Sequence, residues 1–81
     1  MNKFQTLFPQ AAISVAKINA SSSIEMMEYS LATALGNLNI VINKKELRES
    51  MSEDEQINIG TARSILMRIE KEIEDVKGLL K

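Results

Sequence analysis

Three consecutive acidic residues are the first feature of the sequence that could do chemistry. Glu53, Asp54 and Glu55 follow Ser52, and Glu49 lies just before them. Carboxylate oxygens are the ligands that Ca²⁺ and Mg²⁺ prefer. Successive side chains on a helix point about 100° apart, however, so three acids in a row cannot converge on one ion. The spaced ligands of an EF-hand are also missing. We therefore expect no metal site and interpret the acids as the first turn of a helix.

The sequence lacks the residue types on which many catalytic and cofactor sites depend. It has no Cys and no His, which excludes disulfides, thiolate or imidazole metal ligands, and nucleophiles activated by histidine. Its glycines are isolated, so no glycine-rich loop could hold a phosphate. A carboxyl group that acts as a general acid needs a pocket that raises its pKa, and every Asp and Glu falls on a predicted exposed face or cap. We expect a non-enzymatic protein without a cofactor.

One basic cluster could contact phosphate, although we do not expect nucleic acid as the partner. Lys44, Lys45 and Arg48 form this cluster. Glu46 and Glu49 interrupt it, and no aromatic side chain lies within it for base stacking. The net charge of −1 gives no overall field that would attract nucleic acid or an anionic membrane surface.

The elements that position these residues are helices, and the C-terminal part of the chain has the clearest pattern. Apolar residues recur there at alternating spacings of three and four, as in a coiled coil, which is typical of a helix that packs along another helix. They are Ile59, Ala62, Leu66, Ile69, Ile73, Val76 and Leu80. Ser52 and Glu55 form a capping box, and Lys77 and Lys81 suit the negative end of a helix. We predict a helix from about 53 to about 80.

A second pattern of this kind fills the middle of the chain. Its apolar positions are Ile24, Met27, Leu31, Ala34, Leu38 and Val41. Ser22 and Glu25 could form another capping box. Gly36 costs about 1 kcal/mol relative to Ala inside a helix, and the β-branched alternation of residues 37–43 could also form a short strand. A lone strand has nothing to pair with, so we predict one helix from about 23 to about 49, bent or frayed near Gly36.

The two predicted helices are joined by only two or three residues, and a connection that short makes neighbouring helices antiparallel. The predicted fold class is therefore all-α, with an antiparallel two-helix hairpin over residues 21–81 and a separate N-terminal segment over residues 1–20. Pro9 suits the first turn of a short helix in that segment, but an extended arm fits nearly as well. Phe4 and Phe8 must be buried against the hairpin or a neighbour.

A hairpin buries only the facing sides of its helices, and many apolar residues lie beyond those sides. Left in water, they would form a larger patch than a monomer usually tolerates. Either residues 1–20 fold back over them or another chain covers them, and we expect another chain. The predicted contact residues are Met26, Tyr29, Leu35, Ile40, Ile42, Ile65 and Leu79.

These features predict a small protein that mediates protein–protein association, either as a homo-oligomer or as the small subunit of a larger assembly. Two alternatives stay open: a dimeric nucleic-acid-associated regulator, and a phage or plasmid inhibitor that binds a host protein. No apolar run is long enough to span a bilayer, and polar residues interrupt the apolar stretch near the N-terminus. We therefore expect a soluble cytoplasmic protein, with export by a signal-independent route left open.

In size and helical-hairpin plan, the chain resembles small bacterial type III secretion components, both the needle subunits and the co-chaperones that escort them. This resemblance implies a small adaptor or chaperone-like role in a secretion system. The needle subunits carry a proline-containing turn between their helices, which "RESMSED" lacks. No other residue-level motif is shared, so no functional position is carried over.

Overall fold

The computed structural model describes residues 8–81, and in that range the chain forms three helices and no strand. Helix α1 spans Pro9–Asn43, α2 spans Lys45–Ser50, and α3 spans Glu53–Leu79. The prediction of an all-helical fold is confirmed. None of these helices is long and apolar enough to cross a membrane.

Helix α1 begins at Pro9, well before the predicted start near residue 23. Pro9 occupies the first turn, where its fixed φ suits a helix and its missing N–H leaves no bond unmade. The serines at 21–23 do not interrupt the helix, because the Ser23 hydroxyl donates to the Asn19 carbonyl oxygen at 3.1 Å, a bond to the preceding turn that serine can make inside a helix. The chain from Pro9 to residue 20 is therefore continuous with the rest of α1. The prediction for Phe4 lies outside the described residues.

Helix α1 ends at Asn43, earlier than the predicted end near residue 49. Lys44 takes an extended conformation, with φ −89° and ψ 114°, and the short helix α2 follows. The Arg48 side chain donates to the Ile42 carbonyl oxygen at 3.2 Å, which satisfies one of the carbonyls left free at a helix end. Residues 37–43 are helical, so the alternative of a strand is wrong, and the interruption falls at Lys44 instead of Gly36.

The start of α3 agrees with the predicted capping box. The Ser52 hydroxyl accepts from the backbone N–H of Glu55 at 3.1 Å and donates to its carboxylate at 3.4 Å. The side-chain amide of Gln56 donates to the carbonyl oxygens of Arg48 and Met51, at 3.0 and 3.3 Å. These bonds join the end of α2 to the start of α3.

The core lies between α1 and α3 and is small. Leu31, Leu35 and Ile73 are its buried side chains, and Ile24 and Leu66 pack against them. The described residues extend over 61 × 22 × 16 Å. At about 1.5 Å per residue, α1 is about 52 Å long and α3 about 40 Å, so α1 is the longer of the two by about 12 Å.

Two polar contacts fix how α1 and α3 lie against each other. The Lys77 ammonium lies 3.0 Å from the Glu28 carboxylate, and Arg63 Nε donates to Asn39 Oδ1 at 2.6 Å. The later residue of α1 therefore contacts the earlier residue of α3, and the contacts run in opposite order along the two helices. Leu80 lies near Lys17 and Ser21 of α1. The first residues of α1 consequently extend past the end of α3.

Candidate association surface

The two broad sides of the α1–α3 pair differ in chemistry. One side has an open apolar groove of about 550 Å³. Its lining side chains include Ser23, Met26, Met27, Ser30 and Ala34 from α1, and Leu66, Ile69 and Ile73 from α3. The opposite side is lined in part by the carboxylates of Glu28, Glu70 and Glu74. One side is thus apolar, with serine as its polar component, and the other side is acidic.

Helix α1 makes this difference possible because it has few charges. Along its 35 residues the charged side chains are Lys17, Glu25 and Glu28, and none of the three lines the groove. Helix α3 is 27 residues long and carries charges on most of its turns. A helix with this little charge is normally covered on more than one side, but α3 covers only one side of α1.

Several large apolar side chains remain exposed beside the groove. Met27 is 53% exposed and Ile65 is 46% exposed. On α3, Ile65 and Ile69 are four residues apart and Val76 and Leu79 are three apart, which places them along one side of the helix. Ile69, Val76 and Leu79 are exposed as well. The apolar surface of the groove therefore continues along α3, with Glu72 as an interruption between Ile69 and Val76.

The structure does not bring the seven predicted contact residues onto one surface. Met26 lines the groove, and Ile65 and Leu79 lie on the same side of α3. Tyr29 lies at the edge of α1 that borders the acidic side, and Ile40 is exposed.

The other two predicted contact residues are more buried. Leu35 is buried in the core, at 9% exposure, and this corrects its prediction as a contact residue. The cause is that Leu35 comes four residues after Leu31, so both side chains lie on the same side of α1 and pack with Ile73. Ile42 is half-buried.

Some residues of the groove and its border were predicted on a different surface. Met27, Ile69 and Val76 were expected in the contact between α1 and α3, but they are exposed. A second series with alternating spacings, Ser23, Met27, Ser30 and Ala34, lies next to the buried one. A search for large apolar residues misses its two serines, although small residues suit a helix face that another helix approaches closely.

The polar contacts between the helices have structural roles. The hydrogen bond that the Lys77 ammonium donates to Glu28, together with the negative charge of Glu28, raises the pKa of Lys77 above its usual value of 10.5. Glu28 lines the acidic side, so this pair closes the α1–α3 contact on the side away from the groove. Among the basic residues of the predicted cluster, Lys45 pairs with Glu49 at 3.8 Å.

The carboxylates do not assemble into a metal site in the described part of the chain. Within residues 8–81, no three Asp or Glu side chains are grouped so that they could hold an ion. Glu53, Asp54 and Glu55 occupy the first turn of α3, where negative charge stabilises the helix.

Within residues 8–81, the groove with its exposed apolar border is an extended apolar surface that no contact within the chain covers. No protein-family model matches this sequence, and comparison with curated proteins and with solved structures found no match.

Proposed function

We propose that the protein is a non-enzymatic antiparallel hairpin of α1 and α3 whose function is protein–protein association through the groove. The partner is a second copy of the chain or the larger subunit of an assembly in which this chain is a small adaptor. The observation that carries the proposal is the contrast between the two sides: an apolar groove with exposed apolar neighbours on one side, and carboxylates on the other.

The size of the core gives a second reason for a partner. Leu31, Leu35 and Ile73 are the buried apolar side chains of residues 8–81, and a small domain with so few usually depends on a disulfide, a metal or association. Because the chain has no Cys and no His, association is the stabilising device that fits its composition. The exposed apolar area beside the groove is available for it.

A photo-crosslinking experiment in the cells that make the protein tests this function. A photoreactive phenylalanine analogue replaces Ile65 beside the groove or, as the control, Met67 on another side of α3. The two side chains are matched in exposure, at 46% and 45%. We expect a defined protein adduct from position 65, with either a second copy or another protein, and none from position 67. Equal adducts at both positions, or no adduct at either, would contradict the proposal.

A further inference from the structure

We infer that the groove is covered by a second copy of this chain, related by a twofold axis that makes the two α3 helices antiparallel, with Arg68 of each copy opposite Glu72 and Asp75 of the other. The inference rests on the proposed association function and names its partner. Two observations carry it: the charge pattern along α3 and the position of the smallest groove residue.

A carboxylate interrupts the exposed apolar side of α3. The residues of that side recur at spacings of four, three, four and three: Ile65, Ile69, Glu72, Val76 and Leu79. Covering Glu72 with apolar side chains alone would leave a buried charge without a partner, which is costly. A single polar residue within an apolar helix contact typically fixes which residues face each other. Glu72 therefore calls for a cation on whatever covers this side of α3.

Arg68 is placed to be that cation in a second copy. Within residues 8–81, the ion pairs are Lys45–Glu49 and Lys77–Glu28, so neither Arg68 nor Glu72 is engaged in one. A twofold axis that passes beside α3 at the level between residues 70 and 71 would bring Ile65 of one copy opposite Val76 of the other. The same axis would place Arg68 at the level of position 73 of the second copy, between the acidic positions 72 and 75.

Twofold symmetry makes every such contact occur twice. Arg68 precedes the level of the axis along α3, and Glu72 and Asp75 follow it. The basic residue of each copy therefore meets the acidic residues of the other. An unrelated partner would have no need for this arrangement, because its complementary charges would lie on its own surface. The charge pattern of α3 is thus complementary to itself, which selects a second copy as the occupant.

Helix α1 is suited to the same axis. The contacts of Glu28 with Lys77 and of Asn39 with Arg63 place the residues near Ala34 at the same level as residues 70 and 71 of α3, where the axis passes. Ala34 lines the groove, and its short side chain lets two helices approach closely at that point. Met27, one heptad earlier, has a flexible side chain that adapts to an opposing surface.

Charge exchange between two variants of the full chain tests the inference. Arg68→Glu makes the contact wholly acidic, and Glu72→Lys combined with Asp75→Lys makes it wholly basic. By sedimentation equilibrium, we expect the unaltered chain to have twice its monomer mass and each variant alone to dimerise at least about tenfold more weakly. An equimolar mixture of the two variants should recover the affinity of the unaltered chain to within about threefold. A variant that merely failed to fold would not be rescued by mixing.

Spin labels give an independent measure of the axis, since the chain has no cysteine of its own. A label at Lys71→Cys should give a distance between copies of about 20 Å or less, and a label at Ile57→Cys about 40 Å or more. Two parallel α3 helices would give similar distances at both positions and would overturn the inference, as would a lack of rescue in the mixture.

The molar mass separates this inference from the function on which it rests. A monomer at every concentration would overturn the second copy as partner. If position 65 still formed an adduct with another protein in cells, the association function would stand with a different partner. If it formed no adduct, both proposals would fail.

Discussion

Shortening Ile73 to alanine should weaken the fold more than any change on the outside of α3. Ile73 is 7% exposed and is the one buried side chain that α3 contributes, packed against Leu31 and Leu35 of α1. Replacing a buried isoleucine with alanine costs about 2 to 5 kcal/mol, depending on how well the site can collapse. The groove borders Ile73 and leaves room for neighbours to move, so we expect about 2 to 3 kcal/mol.

Urea unfolding followed by far-UV circular dichroism measures this loss, at one fixed chain concentration because association shifts apparent stability. Met67→Ala is the control, since Met67 is exposed and surface changes usually stay within about 0.5 kcal/mol. If Ile73→Ala changed the free energy of unfolding by no more than this control, the packing of Ile73 between the helices could not be what holds α1 and α3 together.

Three further predictions concern local features. Ser52→Ala removes the hydroxyl that caps α3 and should cost about 1 kcal/mol in urea unfolding, whereas Ser64→Ala, in the interior of the same helix, should not destabilise. The pKa of Lys77 is raised in the fold, so its pairing with Glu28 stabilises the fold fully below the ordinary lysine pKa and is lost as the pH rises through the raised one. The free energy of unfolding should therefore fall at alkaline pH above about 10.5, and Glu28→Gln should reduce that fall. Gly36→Ala should stabilise by about 0.5 to 1 kcal/mol, because a methyl group there meets no atom within 4 Å, and a loss of stability would reveal a close neighbour at that position.

The start of α3 could be predicted from the sequence because every contact that sets it is local. The Ser52 hydroxyl and the Glu55 N–H are three residues apart, and they meet whenever the helix begins there. Pro9 was expected in the first turn of a helix and lies there, but the continuity of α1 through residues 21–23 could not be predicted in the same way. Serine can cap a helix or bond back to the preceding turn inside one, and in this fold Ser23 bonds to Asn19.

The site was predicted less well because residue spacing does not fix how a helix is rotated about its own axis. Met27 and Leu35 belong to neighbouring apolar stripes on α1, about 80° apart. Either stripe could have faced α3, and the spacing rule favoured Met27. In the fold Leu35 is buried and Met27 is exposed. The choice depends on packing between the helices, which involves residues of both at once and is not visible in either pattern alone.

A shallow core beside an open groove implies that folding and association are linked, and this can be measured. If a partner chain covers the groove, binding favours the folded state by mass action. When the partner is a second copy, the midpoint of urea unfolding should rise as the chain concentration rises. Ile65→Glu places a charge on the border of the groove and should remove that dependence while preserving helix content at high concentration.

Met67→Glu adds the same charge to the same helix at matched exposure and should keep the concentration dependence. The comparison therefore separates the effect of the groove from the effect of added charge, which is similar in the two variants. A midpoint that did not change with concentration in the unaltered chain would show that the core of Leu31, Leu35 and Ile73 is sufficient without a second copy. Loss of the dependence in both variants would show instead that the surface of association extends around α3 beyond the groove.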